Sequence, residues 1–207
     1  MVIGLLAVAA IPTVTGVGQA VSAQRKQNAQ AKEQEQFHLG AVWPRADGQG
    51  FYEAAACVLC HQRILLQFPH ESFSAHLFCG YFFSYPSPNH HLGLVSTISL
   101  DPPMLNWIYV DAQTRALAHG SRKDSLGHIT GPWGWTADEA LVTLHGSAAG
   151  FVAARHDDVG WRVYWHPDLE VLHACEVRPL WLRRKPLLGI ESRYVTDGRD
   201  AGRGVER

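Results

Sequence analysis

The chain lacks the features that define several large classes of protein. Its 207 residues contain no run of 18 consecutive apolar residues, so we expect no membrane-spanning helix. Lys and Arg number 18 and Asp and Glu number 19, which gives a formal net charge of −1. This balance supplies no global field that would attract nucleic acid or an anionic membrane. We therefore expect no nucleic-acid partner.

Familiar catalytic motifs are also missing. The chain has no G-x-S-x-G elbow, no phosphate-binding loop and no H-E-x-x-H zinc motif. A glycosidase-type site would need two carboxylates facing one cleft, whereas each central carboxylate is explained by a strand end, a turn, a cap or a hairpin tip. These carboxylates are Asp101, Asp111, Asp138, Glu139, Asp157 and Asp158. No cofactor is indicated.

Cysteine is scarce, with Cys57, Cys60, Cys79 and Cys175 only. A domain of this size does not need disulfides, so we expect free thiols. The run Cys57-Val58-Leu59-Cys60-His61 matches the C-x-x-C-H pattern of haem attachment. It falls inside a predicted hairpin between apolar runs, and we interpret its members as ordinary strand residues. A metal site at Cys57, Cys60 and His61 is kept as the alternative.

The residues that are present predict a β-rich domain. Apolar residues make up 46% of the chain and charged residues 18%, enough for a real core. Five of the seven Trp lie between Asp101 and His166. Short apolar runs recur at close spacing with turn residues between them and no long helix, which predicts a mainly β fold, an antiparallel β-sandwich or a barrel-like domain.

The chain divides into three predicted regions. Residues 1–36 form an N-terminal apolar or helical segment, residues 37–188 the β-rich domain, and residues 189–207 a disordered tail that is rich in Arg, Asp and Gly. Within the domain, Trp161, Val163 and Trp165 are predicted to share one strand face. Residues 136–139 match a capping box and predict one helical turn after Trp135.

The N-terminal segment has three interpretations. Residues 2–11 are apolar apart from Gly4, and Val21-Ser22-Ala23 resembles a signal-peptidase site. No Lys or Arg precedes the apolar run, however, which is unlike a secretory signal. Residues 13–36 are rich in helix formers, so the segment is instead predicted to be a retained helix that packs on its own domain, or one that docks to a membrane surface or a protein partner.

One loop holds the strongest candidates for ligand binding. Trp133 and Trp135 flank Gly134 after Gly131-Pro132, and His128 precedes them. Flat indole rings supply contact area for sugars and hydrophobic ligands, and a His beside them is a candidate acid–base group or ligand contact. We predict Trp133, Trp135 and His128 as ligand-binding residues, against the alternative that they are structural.

Several of these runs resemble a known family. The runs N-W-I-Y-V-D-A-Q-T-R-A-L-A-H-G-S-R, G-H-I-T-G-P-W-G-W-T-A-D-E, V-T-L-H-G and G-F-V-A-A-R-H-D-D-V-G-W-R-V-Y-W resemble a family of small uncharacterised filamentous-fungal proteins, as does A-V-S-A-Q-R-K-Q-N near the N-terminus. The resemblance covers the chain from about Gly4 to Asp168. It implies no established activity, cofactor or catalytic residue. The Cys57 to His61 segment departs from the family pattern, in which a polar turn is expected.

These observations support three hypotheses of function. The first is a non-enzymatic β-rich module that binds a ligand, such as a small hydrophobic molecule, or a partner. The alternative is a small tailoring enzyme of isomerase or cyclase type that acts on a hydrophobic metabolite in a fungal biosynthetic pathway. The third is an interaction protein whose N-terminal helix docks to a partner. A cytoplasmic location is favoured over secretion after cleavage near Ala23, and membrane association is left open.

Overall fold

A computed structural model describes residues 24, 27, 28, 30–45, 50–71, 73–100, 102–158, 160–168, 170, 172 and 175–187. The described residues form fourteen β-strands, which are β1 (Phe37–Pro44), β2 (Phe51–Cys60), β3 (Arg63–Gln67), β4 (His76–Leu77), β5 (Gly80–Ser84), β6 (Leu92–Leu100), β7 (Pro103–Val110), β8 (Leu117–Gly120), β9 (Trp133–Trp135), β10 (Val142–Leu144), β11 (Phe151–His156), β12 (Gly160–Trp165), β13 (Val177–Pro179) and β14 (Trp181–Pro186). The predicted mainly β fold is confirmed.

The main sheet is antiparallel and closes on itself. Its ring runs from β1 through β2, β3, β8, β7, β6 and β5 and returns to β1. β4 pairs with β2, β14 pairs with β1, and β12 extends from β3 and carries β11 and β13. β9 and β10 form a separate hairpin. Closure pairs the strand edges of the ring with each other, which is how barrel-like sheets avoid open edges.

The Trp side chains pack the interior of this domain. Trp161, Val163 and Trp165 of β12 belong to the large buried cluster, together with Phe151 of the neighbouring strand. Tyr164, on the other face of β12, belongs to a small second cluster with Ala116, Ala154 and Leu172. The predicted alternation along this strand is therefore confirmed, because successive side chains point to opposite faces.

The capping-box prediction after Trp135 is wrong. Residues 136–141 form the turn of the β9–β10 hairpin, in which the Thr136 hydroxyl donates to the Asp138 carboxylate and accepts the Leu141 N–H at 3.1 Å. Glu139 has a φ of 61°, which lies outside the helical region. Short polar side chains can satisfy the backbone of a turn as well as that of a helix end, and here the turn is the outcome.

A predicted N-terminal helix is not supported. The described residues contain a short helical piece at 30–33, closed by a hydrogen bond of 3.2 Å from the Gln34 N–H to the Gln30 carbonyl. Gln24, Gln27 and Asn28 are also helical, and the chain is extended from Phe37, where β1 begins. Residues 1–23, which carry the predicted apolar segment and cleavage site, lie outside the described residues.

The chain divides into two units, residues 1–35 and residues 36–207. The predicted domain boundaries stay predictions, and the predicted disordered tail at 189–207 lies outside the described residues. Within the part of the chain that is described, no helix is long and apolar enough to cross a membrane.

Candidate functional site

Trp133 and Trp135 lie on one face of β9, where both indole rings cover the core. Trp133 is 3% exposed, and its ring stacks on that of Phe151 with centroids 6.3 Å apart and an interplanar angle of 15°. Trp135 is half-buried and packs against the same cluster, 5.0 Å from the ring of Phe82. The structure therefore brings the two predicted Trp together, but gives each of them a packing role.

A buried guanidinium packs over the ring of Trp135. Arg184 of β14 is buried, and its Cζ lies 5.5 Å from the Trp135 ring and 5.2 Å from the Phe37 ring. An Arg nitrogen also lies 3.8 Å from the carboxylate of Glu139. A cation between two aromatic faces is attracted by their quadrupoles. Arg184 thus ties the β9–β10 hairpin to β1 and β14.

His128 contacts a neighbouring turn. Its ring stacks on that of Tyr109 with centroids 4.9 Å apart, and its Nδ1 accepts the N–H of Ala112 at 3.1 Å. The Asp111 carboxylate closes the same turn by accepting the N–H groups of Gln113 and Thr114. These contacts give His128 a structural role. Its predicted function as a ligand contact, with Trp133 and Trp135, stays a prediction.

The Cys57 to His61 segment is divided between core and surface. Residues three apart on a strand point to opposite faces, so Cys57 is buried while Cys60 is half-exposed. Burial, with a smaller contribution from Glu53, raises the pKa of Cys57 to about 12. Cys60 Sγ lies 3.3 Å from Nδ1 of His61. Among the described residues, no group of three His, Cys, Asp or Glu side chains is arranged to hold a metal ion.

The structure adds a concave site that the sequence did not indicate. This β2–β3 groove has a volume of about 390 Å³ and is lined by Glu53, Ala54, Ala55, Ala56, Gln67, Phe68, Pro69 and Glu71. The first half of β2 supplies the small side chains, and the end of β3 with its following turn supplies the larger ones. Ala54 and Ala55 are buried and Ala56 is half-buried, so the β2 side of the groove carries little side-chain bulk.

Aromatic rings support the groove from below and border it. Phe68 packs on Trp43 with centroids 5.5 Å apart, and Trp43 packs on Trp161 at 5.5 Å. Tyr52, directly before Glu53, is 41% exposed and Phe51 is 56% exposed. Exposed aromatic rings are typical of interaction sites, and these two rings precede the groove in β2 without being part of its lining. This end of the domain therefore presents apolar area to solvent on a rigid base.

The rim of the groove carries hydrogen-bonding groups that are held in place. Glu53 Oε1 lies 2.6 Å from Lys185 Nζ, and Glu71 Oε2 accepts the Phe68 N–H at 3.2 Å. The amide of Gln67 donates to the Phe73 carbonyl at 3.3 Å. A carboxylate can accept further hydrogen bonds beyond one. The rim is thus suited to a ligand that donates hydrogen bonds.

One signal in the sequence could have identified this groove. The apolar run in the sequence begins at Ala54, whereas the structure also places Phe51 and Tyr52 in β2. Two aromatic residues, a carboxylate and three alanines in succession make the first half of β2 unlike a strand that is buried on both faces. Its burial pattern begins with three exposed residues. The unusual order of residue types is visible in the sequence, but the sequence does not show that residues 67–71 lie beside them.

One family model matches this chain. It describes a fungal beta-trefoil domain and covers residues 16–185. No curated protein and no solved structure matches the chain. The match includes the whole of the closed sheet from β1 to β13 and most of β14, and it agrees with the predicted resemblance to a fungal family.

Proposed function

The chain belongs to the fungal β-trefoil domain family, and we propose that it works as a non-enzymatic binding module whose ligand occupies the β2–β3 groove. The β-trefoil is a common scaffold for binding and interaction modules. Fold alone does not identify a function, because one fold carries many sites. The proposal therefore depends on the groove and its exposed aromatic border.

The groove has the volume of a small-molecule site. Its volume of about 390 Å³ lies within the range in which small ligands bind to proteins. The apolar surface that a ligand would contact includes the half-buried ring of Phe68, which lines the groove and packs on the ring of Trp43. A rigid aromatic base favours binding because little conformational entropy is lost when the ligand arrives.

The polar groups of the rim narrow the class of ligand. The carboxylates of Glu53, which is paired with Lys185, and of Glu71 can accept hydrogen bonds from hydroxyl groups, and Glu71 disfavours an anionic ligand. A molecule with one apolar face and several hydroxyl groups satisfies both the Phe68 ring and the rim. We propose a neutral saccharide as the class of ligand.

Calorimetric titration of the full chain tests this function. The probes are cellotriose, chitotriose, xylotriose and laminaritriose, four neutral oligosaccharides that differ in linkage or in their sugar. We expect at least one of these oligosaccharides to bind. Gln67→Ala should weaken the affinity for that oligosaccharide about tenfold, because the variant loses a hydrogen-bonding side chain at the rim. Gln113→Ala, on an exposed turn outside the groove, is the matched control. Equal affinity of the two variants, or no heat with any probe, would contradict the proposal.

The other expectations about function remain predictions. Ligand contacts at Trp133, Trp135 and His128 would be detected as weaker binding in calorimetric titrations of variants at these residues. A partner bound through the N-terminal helix would be detected as weaker binding of that partner by variants of the N-terminal segment. The tailoring-enzyme alternative gains no support from His128, whose Nδ1 is occupied by a backbone N–H. A cytoplasmic location stays a proposal, since it depends on residues 1–23.

A further inference from the structure

A Tyr, a His and a Cys form a continuous chain on the face of β12 that points away from the large core. The Tyr164 hydroxyl lies 2.9 Å from Nε2 of His156. Nδ1 of the same imidazole lies 3.8 Å from Sγ of Cys175. The three residues come from β12, from the end of β11 and from the segment before β13, so the tertiary fold brings them together.

The hydroxyl of Tyr164 orients the imidazole of His156, and the other ring nitrogen faces the thiol of Cys175. When Nε2 carries the hydrogen and donates it to the Tyr164 oxygen, Nδ1 presents its lone pair to the thiol. An imidazole held in this tautomer beside a thiol is the arrangement that activates cysteine nucleophiles. Tyr164 is well placed to hold it, because its ring is 5% exposed and packs with Ala116, Ala154 and Leu172.

The surroundings keep the imidazole neutral and leave Cys175 only half-buried. Burial and the nearby charge of Arg162 lower the pKa of His156, whereas Asp158 and Asp157 act in the opposite direction. Burial raises the pKa of Tyr164, against the charges of Arg162 and Arg63, so the phenol keeps its proton. His156 and Cys175 are both half-buried. The imidazole is therefore an unprotonated base near neutral pH, and Cys175, although it packs against the small cluster, is not fully buried.

The remaining cysteines have different environments. Cys57 is fully buried, and burial raises its pKa to about 12. Burial also raises the pKa of Cys79, although a hydrogen bond with Thr97 acts against it. Cys60, at the end of β2, lies 3.3 Å from Nδ1 of His61, its neighbour in sequence on the exposed hairpin turn. These thiols provide internal comparisons for Cys175 within one protein.

We propose that Cys175 is a nucleophilic thiol and a site of covalent modification by soft carbon electrophiles, with His156 as its base and Tyr164 as a positioning residue. The thiol proton passes to Nδ1 of His156 while a sulfur electron pair forms a bond to the electrophilic carbon. With a haloacetamide, the carbon–halogen bond breaks and halide leaves with its electron pair. The imidazolium then releases its proton to water.

Labelling with iodoacetamide, followed by peptide mass spectrometry, measures all four cysteines at once in the folded full chain. We expect Cys175 to be labelled about tenfold faster than Cys60, and Cys57 only after unfolding. His156→Gln should slow Cys175 about tenfold without changing Cys60. His61→Gln, which removes the other Cys–His contact, is the matched control and should leave Cys175 unchanged.

A pH profile separates positioning from a merely structural role. Tyr164→Phe removes one hydroxyl and should shift the midpoint of the Cys175 labelling profile while circular dichroism stays unchanged. If Cys60 or Cys79 is labelled as fast as Cys175, or if folded His156→Gln protein labels Cys175 at the wild-type rate, the proposal is wrong. Should Tyr164→Phe fail to fold, the half-exposed His156 variant alone decides the result.

Discussion

The β9–β10 hairpin and the β2–β3 groove use aromatic side chains in opposite ways. Trp133 stacks on Phe151 and is 3% exposed, whereas Tyr52 at the border of the groove is 41% exposed. The hairpin turns its rings into the core, and its turn is closed by the side chains of Thr136 and Asp138. Next to the groove, the rings of Phe51 and Tyr52 remain exposed to solvent, while Phe68 packs on the buried ring of Trp43.

The difference between the two regions shows that a high density of Trp in a sequence indicates core packing more than ligand binding. Large aromatic rings bury 150–250 Å² each, roughly, and dominate core energetics. A segment rich in them is therefore most often the interior of a β domain. The rings that remain exposed are fewer and include Phe73 and Phe83 as well as Phe51 and Tyr52. The last two lie in the first half of β2, a segment with no Gly-Pro-Trp motif to mark it.

The largest effect is expected from the hairpin. Trp133→Ala leaves a cavity beside Phe151, and we expect the free energy of unfolding to fall by about 4 kcal/mol. Urea denaturation measures the change. Phe51→Ala, at a ring that is 56% exposed, is the control and should lower stability by less than about 1 kcal/mol. Similar losses for both variants would mean that the two regions do not differ as described.

A buried histidine in the closed sheet, outside both regions, gives a second measure of burial through the pH dependence of stability. His119 is 8% exposed, and burial, with the nearby charge of His76, lowers its pKa to about 4. Between pH 6.5 and pH 4 the unfolded chain binds a proton that the folded chain does not. The free energy of unfolding should therefore have its full value above pH 6.5 and decrease by about 3 kcal/mol as the pH falls to 4.

The variant His119→Gln isolates this contribution. Glutamine keeps a polar group beside the Asn106 amide, which lies 3.0 Å from His119 Nδ1, but it does not titrate. Urea unfolding at pH 7 and at pH 4.5 should show a smaller difference in the variant than in the wild type. An equal difference in both proteins would assign the acid sensitivity to other groups.

A smaller effect is expected from the cation that fixes the hairpin. Arg184→Ala removes the guanidinium between the rings of Phe37 and Trp135, and we expect a loss of about 2 kcal/mol in stability. Glu139 remains half-solvated, so its carboxylate is not stranded in the core. Arg183→Ala, at the exposed neighbour on β14, should change stability by less than about 0.5 kcal/mol. Thermal denaturation compares the two.

The smallest effect in free energy is expected at the groove itself. Tyr52→Ala should reduce the affinity for a bound oligosaccharide about tenfold, or about 1.4 kcal/mol, because it removes an aromatic contact surface. Its stability should change little. Phe83→Ala removes a ring of similar exposure outside the groove and should leave the affinity unchanged in the same calorimetric titration.

Much of the fold followed from local patterns, and the site did not. The alternation at Trp161, Val163 and Trp165 and the hairpin around His61 and Gln62 were predictable, because each depends on neighbouring residues. The closure of the sheet was not, since the bridge between Phe37 and Gly80 joins distant residues. The capping-box pattern at Thr136 was ambiguous, because the same side chains can close a helix or a turn.

The candidate groove shows the same limit. Ala54 and Phe68 meet only because β2 and β3 pair, with Ala56 opposite Gln67. Likewise, His156 and Cys175 are nineteen positions apart and join through strand packing. Sequence patterns identify residue types that can bind or react, but the proximity of such residues is a property of the tertiary fold.

The central claim is that the open groove, and not the Trp-rich hairpin, binds the ligand. The most direct test is a heteronuclear NMR titration of the folded chain with the oligosaccharide that gives the largest calorimetric signal. We predict shifts at the backbone amides of Tyr52, Gln67 and Phe68, with those of Trp133 and Trp135 unchanged. Shifts confined to the β9–β10 hairpin and His128 would contradict the account and restore that loop as the site.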